Sequence, residues 1–410
     1  MKKISKIIFI LVLVLMLITT IALGIMNKKE YKLIDISGNK KELNDINVLF
    51  QEKAGFYNTK EIILSKDNNK VKNFQKEVYD YIIPTKENKE NRKLIESWYN
   101  LAPKLYKDEE SIGSVDISID YDNYTSDKDT LNLFANVKDK KLSTNKVTTY
   151  EIPLETKLKY EDSVDFASRG IKYNKSLYLA VGVNINSYYN GINHASQECY
   201  ISIYKLNLQE QTSDLITTYT VGKEKDLAFI NNGLIFDNND DIYFVKSIYS
   251  NDNKNTKFEL VKYDLRENKF INTSLPIDVN DIQSLYHYCI EKNNVTFAND
   301  IYKDKSGELD IYLSTVNLLN NDVIEVNKKY TLKMNDKDYL YSLNDMKLLG
   351  NKLYLVVSGH KGTGDGARYE QVNNNFVYVI DKDNKSILYC GEIKGSESEY
   401  VSPKLISSNE

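Results

Sequence analysis

The sequence is poor in the residues that mark several common classes of protein. Its 410 residues include three cysteines, five prolines, 17 glycines, three histidines and one tryptophan, Trp98. Cysteine is too scarce for a disulfide-stabilised scaffold, and glycine and proline are too scarce for a collagen-like or low-complexity chain. The formal net charge of −4 has the wrong sign to neutralise phosphates, so no nucleic-acid partner is expected.

The three cysteines, Cys199, Cys289 and Cys390, are odd in number and far apart. We therefore expect each to be a small apolar residue within a strand. His287 and Cys289 lie two residues apart on one predicted strand and face the same side. This spacing favours a pair on a sheet face over a catalytic couple.

Motifs for common catalytic and ligand-binding chemistry are missing from the sequence. There is no HExxH helix and no GxSxG serine elbow. The glycines of GHKGTGDG (359–366) precede neither Lys-Ser/Thr nor a predicted helix, so this segment is predicted to be a flexible loop between strands. No cofactor is expected, and whether the protein is an enzyme stays open, with a non-enzymatic role favoured.

Asp237, Asn239 and Asp241 have the alternating spacing of a calcium-binding loop. The position where such a loop needs glycine holds Ile242, so an ordinary hairpin turn is predicted. The same interpretation applies to residues 381–384 (DKDN), and no metal site is expected.

Residues 7–26 form an uninterrupted uncharged run after Lys2, Lys3 and Lys6. At about 1.5 Å per residue this run is long enough to cross a bilayer of about 30 Å. The positive charges before it predict a signal-anchor over residues 1–29, with the first residues in the cytoplasm and residues 30–410 outside the cell membrane. A cleaved signal peptide, giving a secreted protein, is the alternative.

The body of the chain is rich in tyrosine, with 32 residues, and alternates apolar and polar side chains from about residue 110 onward. Alternation at period two predicts strands with one buried face, and β-branched and aromatic residues favour strands. Units of four such strands recur about every 60 residues. The clearest units are 162–221, 226–276, 282–332 and 342–393.

The N-terminal third is less regular. Three strands are predicted at 46–52, 59–64 and 71–81, and three more at 114–121, 130–137 and 146–152. Residues 91–101 suit a short helix or an irregular insert. Residues 31–36 or 400–405 are predicted to supply the strand that closes the fold.

In this recurrence the chain resembles β-propeller proteins in general over residues 110–393. It has neither the Gly-His and Trp-Asp pairs nor the double glycine of well-known repeats, so no family is indicated. The resemblance implies an all-β domain over residues 30–410 with about six blades, five to seven being compatible, behind one N-terminal transmembrane helix. Two stacked β-sandwich domains are the alternative.

In a propeller blade, the loop between the second and third strands lies on the same face as the connections between blades. The longest such segments are 187–196 and 359–374. Loops on a rigid scaffold often carry function, and exposed aromatics and arginine anchor interfaces. The candidate binding residues are Tyr188, Tyr189, His194, His360, Asp365 and Arg368. The competing interpretation is that these loops are merely long.

Three functions are compatible with these observations. The favoured one is a membrane-anchored extracytoplasmic binding or scaffold module, with a protein, peptide or glycan partner on one propeller face. A carbohydrate-active hydrolase or lyase with a carboxylate pair in the central funnel is the second. A ligand sensor coupled to another membrane protein is the third. The sequence selects no catalytic residue.

Overall fold

The computed structural model of the chain describes 30–53, 58–75, 91, 94, 105–120, 132–155, 163–186, 198–221, 227–249, 256–279, 287–303, 306–334, 336, 339–363, 370–395 and 403–408. Within these ranges the chain is all-β, with 25 strands and one short 3-10 helix, Lys40–Leu43. No helix in the described ranges has the length and hydropathy to span a membrane. The predicted span 7–26 lies before them, and most of the predicted insert 91–101 lies outside them.

Three sheets are built in the same way from four consecutive antiparallel strands. The third sheet contains β9 (Ser163–Tyr173), β10 (Ser176–Asn186), β11 (Glu198–Asn207) and β12 (Thr212–Thr220). The fourth sheet contains β13 (Leu227–Asn238), β14 (Asp241–Tyr249), β15 (Thr256–Asp264) and β16 (Lys269–Val279). The fifth sheet contains β17 (His287–Glu291), β18 (Asn294–Lys303), β19 (Glu308–Asn317) and β20 (Val323–Lys333).

Of the remaining sheets, the first and sixth include the chain ends, and the second again consists of four consecutive strands. The first sheet contains β2 (Ile46–Lys53), β3 (Asn58–Leu64), β4 (Asn69–Gln75) and, beside β2, β25 (Lys404–Ser407). The second sheet contains β5 (Tyr106–Lys107), β6 (Ser111–Asp120), β7 (Asn132–Lys141) and β8 (Val147–Leu154). The sixth sheet contains β21 (Leu340–Leu349), β22 (Lys352–Thr363), β23 (Glu370–Asp381), β24 (Ile387–Lys394) and, beside β24, β1 (Lys32–Gly38).

The strand pattern predicted from the sequence is confirmed, because every strand of the four regular units is present and β10 and β14 have the predicted bounds. Turn chemistry fixes these bounds. Asn174 and Lys175 have φ values of 46° and 63°, and Asn239 and Asp240 have 49° and 68°. Two consecutive positive φ values define the two-residue turn whose twist matches a β-hairpin. The short strand β5 has no counterpart in the sequence prediction.

Both predicted closing segments form strands, and they join different sheets. β1 pairs with β24, placing Lys32 opposite Lys394. β25 pairs with β2, placing Ile46 opposite Ser407. The first and sixth sheets therefore each combine residues from both ends of the chain, and β1 covers an edge of β24 that would otherwise be open to pairing.

Neighbouring sheets pack face to face, so central strands are buried on both sides. In β22 the five consecutive residues 353–357 (LYLVV) are all buried. Leu353, Leu355 and Val357 pack against the fifth sheet. Tyr354 and Val356, on the opposite face, pack against the first sheet. Burying each such side chain contributes about 1.5–3 kcal/mol, which makes these contacts the main source of stability.

Apolar clusters of this kind link the sheets in chain order within the described residues. They join the second sheet to the third, the third to the fourth, the fourth to the fifth, the fifth to the sixth and the sixth to the first. First strands contact each other, as in β9 with β13, β17 with β21 and β21 with β25. Last strands also meet, as in β8 with β12 and β16 with β20. This series of four-stranded sheets is consistent with a propeller.

Polar groups fasten β21 to the sheets on either side of it. Asp345 of β21 accepts a hydrogen bond from the Leu405 backbone N–H at 2.7 Å. Lys404 Nζ donates to the Asn344 carbonyl at 3.0 Å. One sheet earlier, Asp300 of β18 accepts from the Leu343 N–H at 3.0 Å. We call these contacts the inter-sheet latches; they satisfy backbone groups that have no partner within their own sheet.

Replacing Asp345 with alanine should lower the free energy of unfolding by about 1–3 kcal/mol, because the Leu405 N–H loses its buried acceptor. Asp345→Asn should lower the free energy of unfolding by less, because its amide oxygen can still accept the hydrogen bond from the Leu405 N–H. Asp383→Ala, at an exposed turn, is the control. Urea denaturation followed by circular dichroism measures the three values. Equal stability of Asp345→Ala and the control would contradict the role of this latch.

Candidate functional site

Four aromatic side chains gather where the fifth and sixth sheets meet, and we call Tyr302, Tyr339, Tyr341 and Phe376 the tyrosine cluster. Tyr341 is at its centre. The Tyr341 ring centroid lies 5.5 Å from that of Tyr302, in an edge-to-face arrangement. It lies 6.1 Å from the centroids of both Tyr339 and Phe376. Such offset and tilted pairs are the geometries that aromatic quadrupoles favour.

The strand ends determine where the tyrosine cluster lies. Tyr302 is next to the last residue of β18, and Tyr341 is the second residue of β21. β18 ends, and β21 begins, at the edge where second strands end and third strands begin. We call this the upper edge. It is the edge where the sequence predicts a binding face.

Burial within the tyrosine cluster is uneven. Tyr341 is 3% exposed, whereas the three surrounding rings are half-buried. Tyr302, Tyr339 and Phe376 pack against the apolar core between the fifth and sixth sheets. The cluster is therefore rooted in the core and still presents aromatic surface to its surroundings.

Gly359 makes room for the central ring. It lies directly opposite Tyr341 in the ladder between β21 and β22. A Cβ atom at this position would lie 2.5 Å from Tyr341 Cε1 and 3.1 Å from Tyr339 Cβ. Because real Cβ atoms do not approach this closely, only glycine lets the tyrosine ring lie across the neighbouring strand. Tyr106 crosses Gly113 in the second sheet in the same way.

The Tyr341 hydroxyl is buried and forms no hydrogen bond of normal geometry within the described residues, although it interacts with the Asn374 side chain. Burial raises the pKa of this phenol well above its usual value, and the nearby Asn374 side chain opposes the shift. The hydroxyl therefore remains protonated at neutral pH. A buried hydroxyl without a well-formed hydrogen bond costs about 1–3 kcal/mol, so this position favours a ligand that can hydrogen-bond to it.

Polar side chains flank the rings. Lys361 Nζ lies 5.7 Å from the centroid of Tyr339, within range of a cation–π interaction. His360, half-buried, pairs with Leu340 on one side and Asn373 on the other. At the sixth sheet the upper edge thus combines aromatic surface with hydroxyl, amide and ammonium groups on the Tyr341 face, whereas the His360 imidazole is on the opposite face of the sheet.

Of the predicted binding residues, His360 is the one that lies within the described ranges. It follows Gly359 on β22 and, like its partner Leu340, is on the opposite face of the sheet from Tyr341. The others, Tyr188, Tyr189, His194, Asp365 and Arg368, lie outside the described residues. Their placement at a common face stays a prediction.

The predicted loop 359–374 is wrong over most of its length. β22 continues to Thr363 and β23 begins at Glu370, with Gly359 opposite Asn374 and Thr363 opposite Glu370. The prediction failed because GHKGT has too few apolar residues to resemble a strand. Pairing of β22 with β23 requires only backbone groups, however, and Gly359 is needed for packing against Tyr341.

The cluster residues were missed because the sequence places the start of the corresponding strand at Leu343, whereas β21 begins at Leu340. The signal that could have found them is the segment Tyr339-Leu340-Tyr341, which extends the period-two pattern of this strand toward its N-terminus and puts the two tyrosines on one face. Leu340, between the two tyrosines, is 63% exposed, as that alternation requires.

His287 and Cys289 lie together on β17, as predicted, and their environment opposes nucleophilic chemistry. Burial raises the pKa of the Cys289 thiol to about 12, so it does not ionise near neutrality. Burial and the nearby Lys404 lower the pKa of His287 to about 4. All three cysteines are free, and each lies within a strand, as predicted.

The suspected calcium loops are hairpin turns, as the sequence favours. Asp237 accepts from Arg169 Nε at 2.6 Å, and Asp241 forms an ion pair with Lys262 at 2.5 Å. In the second turn Asp381 Oδ1 accepts the backbone N–H groups of Asp383 and Asn384. These carboxylates are thus occupied by partners within the protein.

Three further carboxylates of the described residues also have structural partners. Asp300 and Asp345 belong to the inter-sheet latches. Asp310 accepts from Thr331 at 2.7 Å and lies 2.6 and 2.8 Å from the ammonium groups of Lys303 and Lys329. Those hydrogen bonds and charges hold the pKa of Asp310 at about 2, against the effect of burial.

No protein-family model and no curated protein matches the chain. Among solved structures, it is similar to a GH32 β-fructofuranosidase of Bombyx mori, with a TM-score of 0.34 and 10% identity over 70% of this chain and 61% of that one. A mutant of that enzyme in complex with sucrose gives a TM-score of 0.33 and 8% identity, over 68% of this chain and 62% of that one. The chain thus spans about three fifths of these solved chains, and scores this low assign neither a family nor an activity.

His287 predicts a pH dependence of stability. The folded protein keeps His287 neutral down to about pH 4, whereas an unfolded imidazole ionises near pH 6.5. Between pH 6.5 and pH 4 the unfolded state therefore binds a proton that the folded state does not bind. The free energy of unfolding should fall by on the order of 3 kcal/mol as the pH drops through this range. Urea denaturation at several pH values should show a smaller fall for His287→Gln. Parallel wild-type and variant curves would refute the assignment.

Gly359 and Tyr341 should be coupled energetically. Gly359→Ala should cost about 1–3 kcal/mol in the wild type, because the new methyl group collides with the ring. In a Tyr341→Ala background the same change should cost far less, since the ring is absent. A double-mutant cycle measured by urea denaturation gives the coupling. Additive effects of the two substitutions would show that the ring does not depend on this glycine.

Proposed function

We propose that this protein is a membrane-anchored, extracytoplasmic six-bladed propeller that binds a partner through its upper edge. The six sheets would be the six blades, residues 7–26 the membrane anchor and residues 30–410 the external domain. The proposal is one of binding rather than catalysis, and the partner contacts the tyrosine cluster.

Three features support a closed ring of six blades. The sheets follow one another in chain order, and apolar clusters join five successive pairs within the described residues. The first strands contact each other, as they would around a central axis. Both chain ends contribute strands, β25 at the inner edge of the first sheet and β1 at the outer edge of the sixth. This exchange would hold the first and last blades together.

The observation that carries the binding function is the tyrosine cluster. Tyr302, Tyr339 and Phe376 are half-buried on a rigid base, so a partner can gain contact area without ordering flexible side chains. Aromatic residues are typical anchors of interfaces. The cluster also lies at the upper edge, where the sequence predicts a binding face.

Binding is favoured over hydrolysis because the described carboxylates that could serve a central funnel are otherwise engaged. Asp300 and Asp345 accept backbone N–H groups, and Asp237 is paired with Arg169. A retaining or inverting glycosidase needs two carboxyl groups facing a shared substrate at about 5–9.5 Å. Asp300 and Asp345 instead serve the inter-sheet latches, and Asp237 serves its pairing with Arg169.

The test is a crosslinking pull-down from cell envelopes of the source organism, using the full-length protein. Wild type and Tyr312→Ala should retain the same envelope component, and Tyr339→Ala should retain about tenfold less, the loss of one interface anchor. Tyr312 is a matched control because it is half-buried beneath Lys329, outside the cluster. Equal retention by Tyr339→Ala, or no retained component at all, would refute the binding function.

A further inference from the structure

We propose that the tyrosine cluster binds an oligosaccharide built of neutral or anionic pyranose sugars. This inference rests on the proposed binding function and names the chemistry of its ligand. It follows from three properties of the cluster: the exposed ring surface, the polar groups around it, and the charge already present on it.

The ring surface suits the apolar side of a sugar. Tyr302, Tyr339 and Phe376 are half-buried around the central Tyr341, with centroids 5.5–6.1 Å from it. The face of an aromatic ring carries negative charge and attracts polarised C–H groups. A pyranose ring presents a patch of C–H groups on one side, which such a surface can cover.

The polar groups suit the other side of a sugar. Sugar hydroxyls act as both donor and acceptor. The cluster offers the half-buried amide of Asn374 and, next to it, the buried Tyr341 hydroxyl, which interacts with that amide and forms no hydrogen bond of normal geometry within the described residues. A proline-rich peptide also docks on aromatic grooves, but its prolines offer only carbonyl acceptors and no N–H donor, whereas a sugar hydroxyl offers both.

The resident charge argues against a cationic ligand. Lys361 Nζ already lies over the ring of Tyr339 at 5.7 Å, where a ligand ammonium would make its cation–π contact. A second positive charge there would be repelled. A neutral sugar is tolerated, and a sugar acid gains an ion-pairing partner.

The experiment uses the full-length protein, solubilised in a detergent without a sugar headgroup. An array of neutral and acidic oligosaccharides and an array of proline-rich peptides are probed in parallel with wild type, Tyr339→Ala, Tyr341→Phe and Tyr312→Ala. The best oligosaccharide is then titrated by calorimetry. We expect at least one oligosaccharide to bind wild type and Tyr312→Ala equally, and about tenfold more weakly to Tyr339→Ala.

Tyr341→Phe separates a ligand contact from a structural role. It keeps the ring over Gly359 and removes only the hydroxyl, so the fold, checked by circular dichroism, should be unchanged while oligosaccharide affinity falls about five- to tenfold. Unchanged affinity in both cluster variants would overturn the proposal.

The oligosaccharide array and the envelope pull-down together distinguish a wrong choice of ligand class from the absence of a binding function. Binding to a proline-rich peptide, or to no array member, would overturn the oligosaccharide ligand. If the envelope component were still lost in Tyr339→Ala, the binding function would stand with a different partner. If that loss were absent as well, both proposals would fall.

Discussion

The third to sixth sheets each have two apolar faces, and neither face can be left in water. This constraint explains the run of five buried residues in β22, whose alternate side chains enter two different cores. A sheet buried on both sides needs a neighbour on both sides, and so does that neighbour. A circular arrangement satisfies the requirement without exposed end faces, and this physical reason underlies the proposed six-bladed ring.

Sheets that meet mainly through apolar contacts could slide past each other, and polar contacts between adjacent sheets restrict this. Asp300, Asp345 and Lys404 each bind a backbone group of an adjacent sheet. Arg169 and Asp237 connect the third and fourth sheets through their side chains. These side chains thus help to hold the scaffold in register.

Period-two alternation and turn residues predict most of this fold, because both act locally. Asn174 and Asn239 mark their hairpins without any knowledge of the tertiary structure. The site was harder to predict. Tyr341 lies on β21 and Gly359 lies on β22, and the pattern of either strand alone does not show that the two residues are in contact. They become neighbours only once β21 and β22 are paired. Glycine in a polar segment is typical of a loop, and only the ring across the strand explains it.

The first sheet brings residues 46–75 together with β25, residues 404–407. Contacts across such a separation form slowly, because a long segment must be closed before they stabilise anything. During synthesis, β2 has no partner on one side until β25 has been made. The first sheet is therefore completed only by β25, and its open edge can pair with other chains until then.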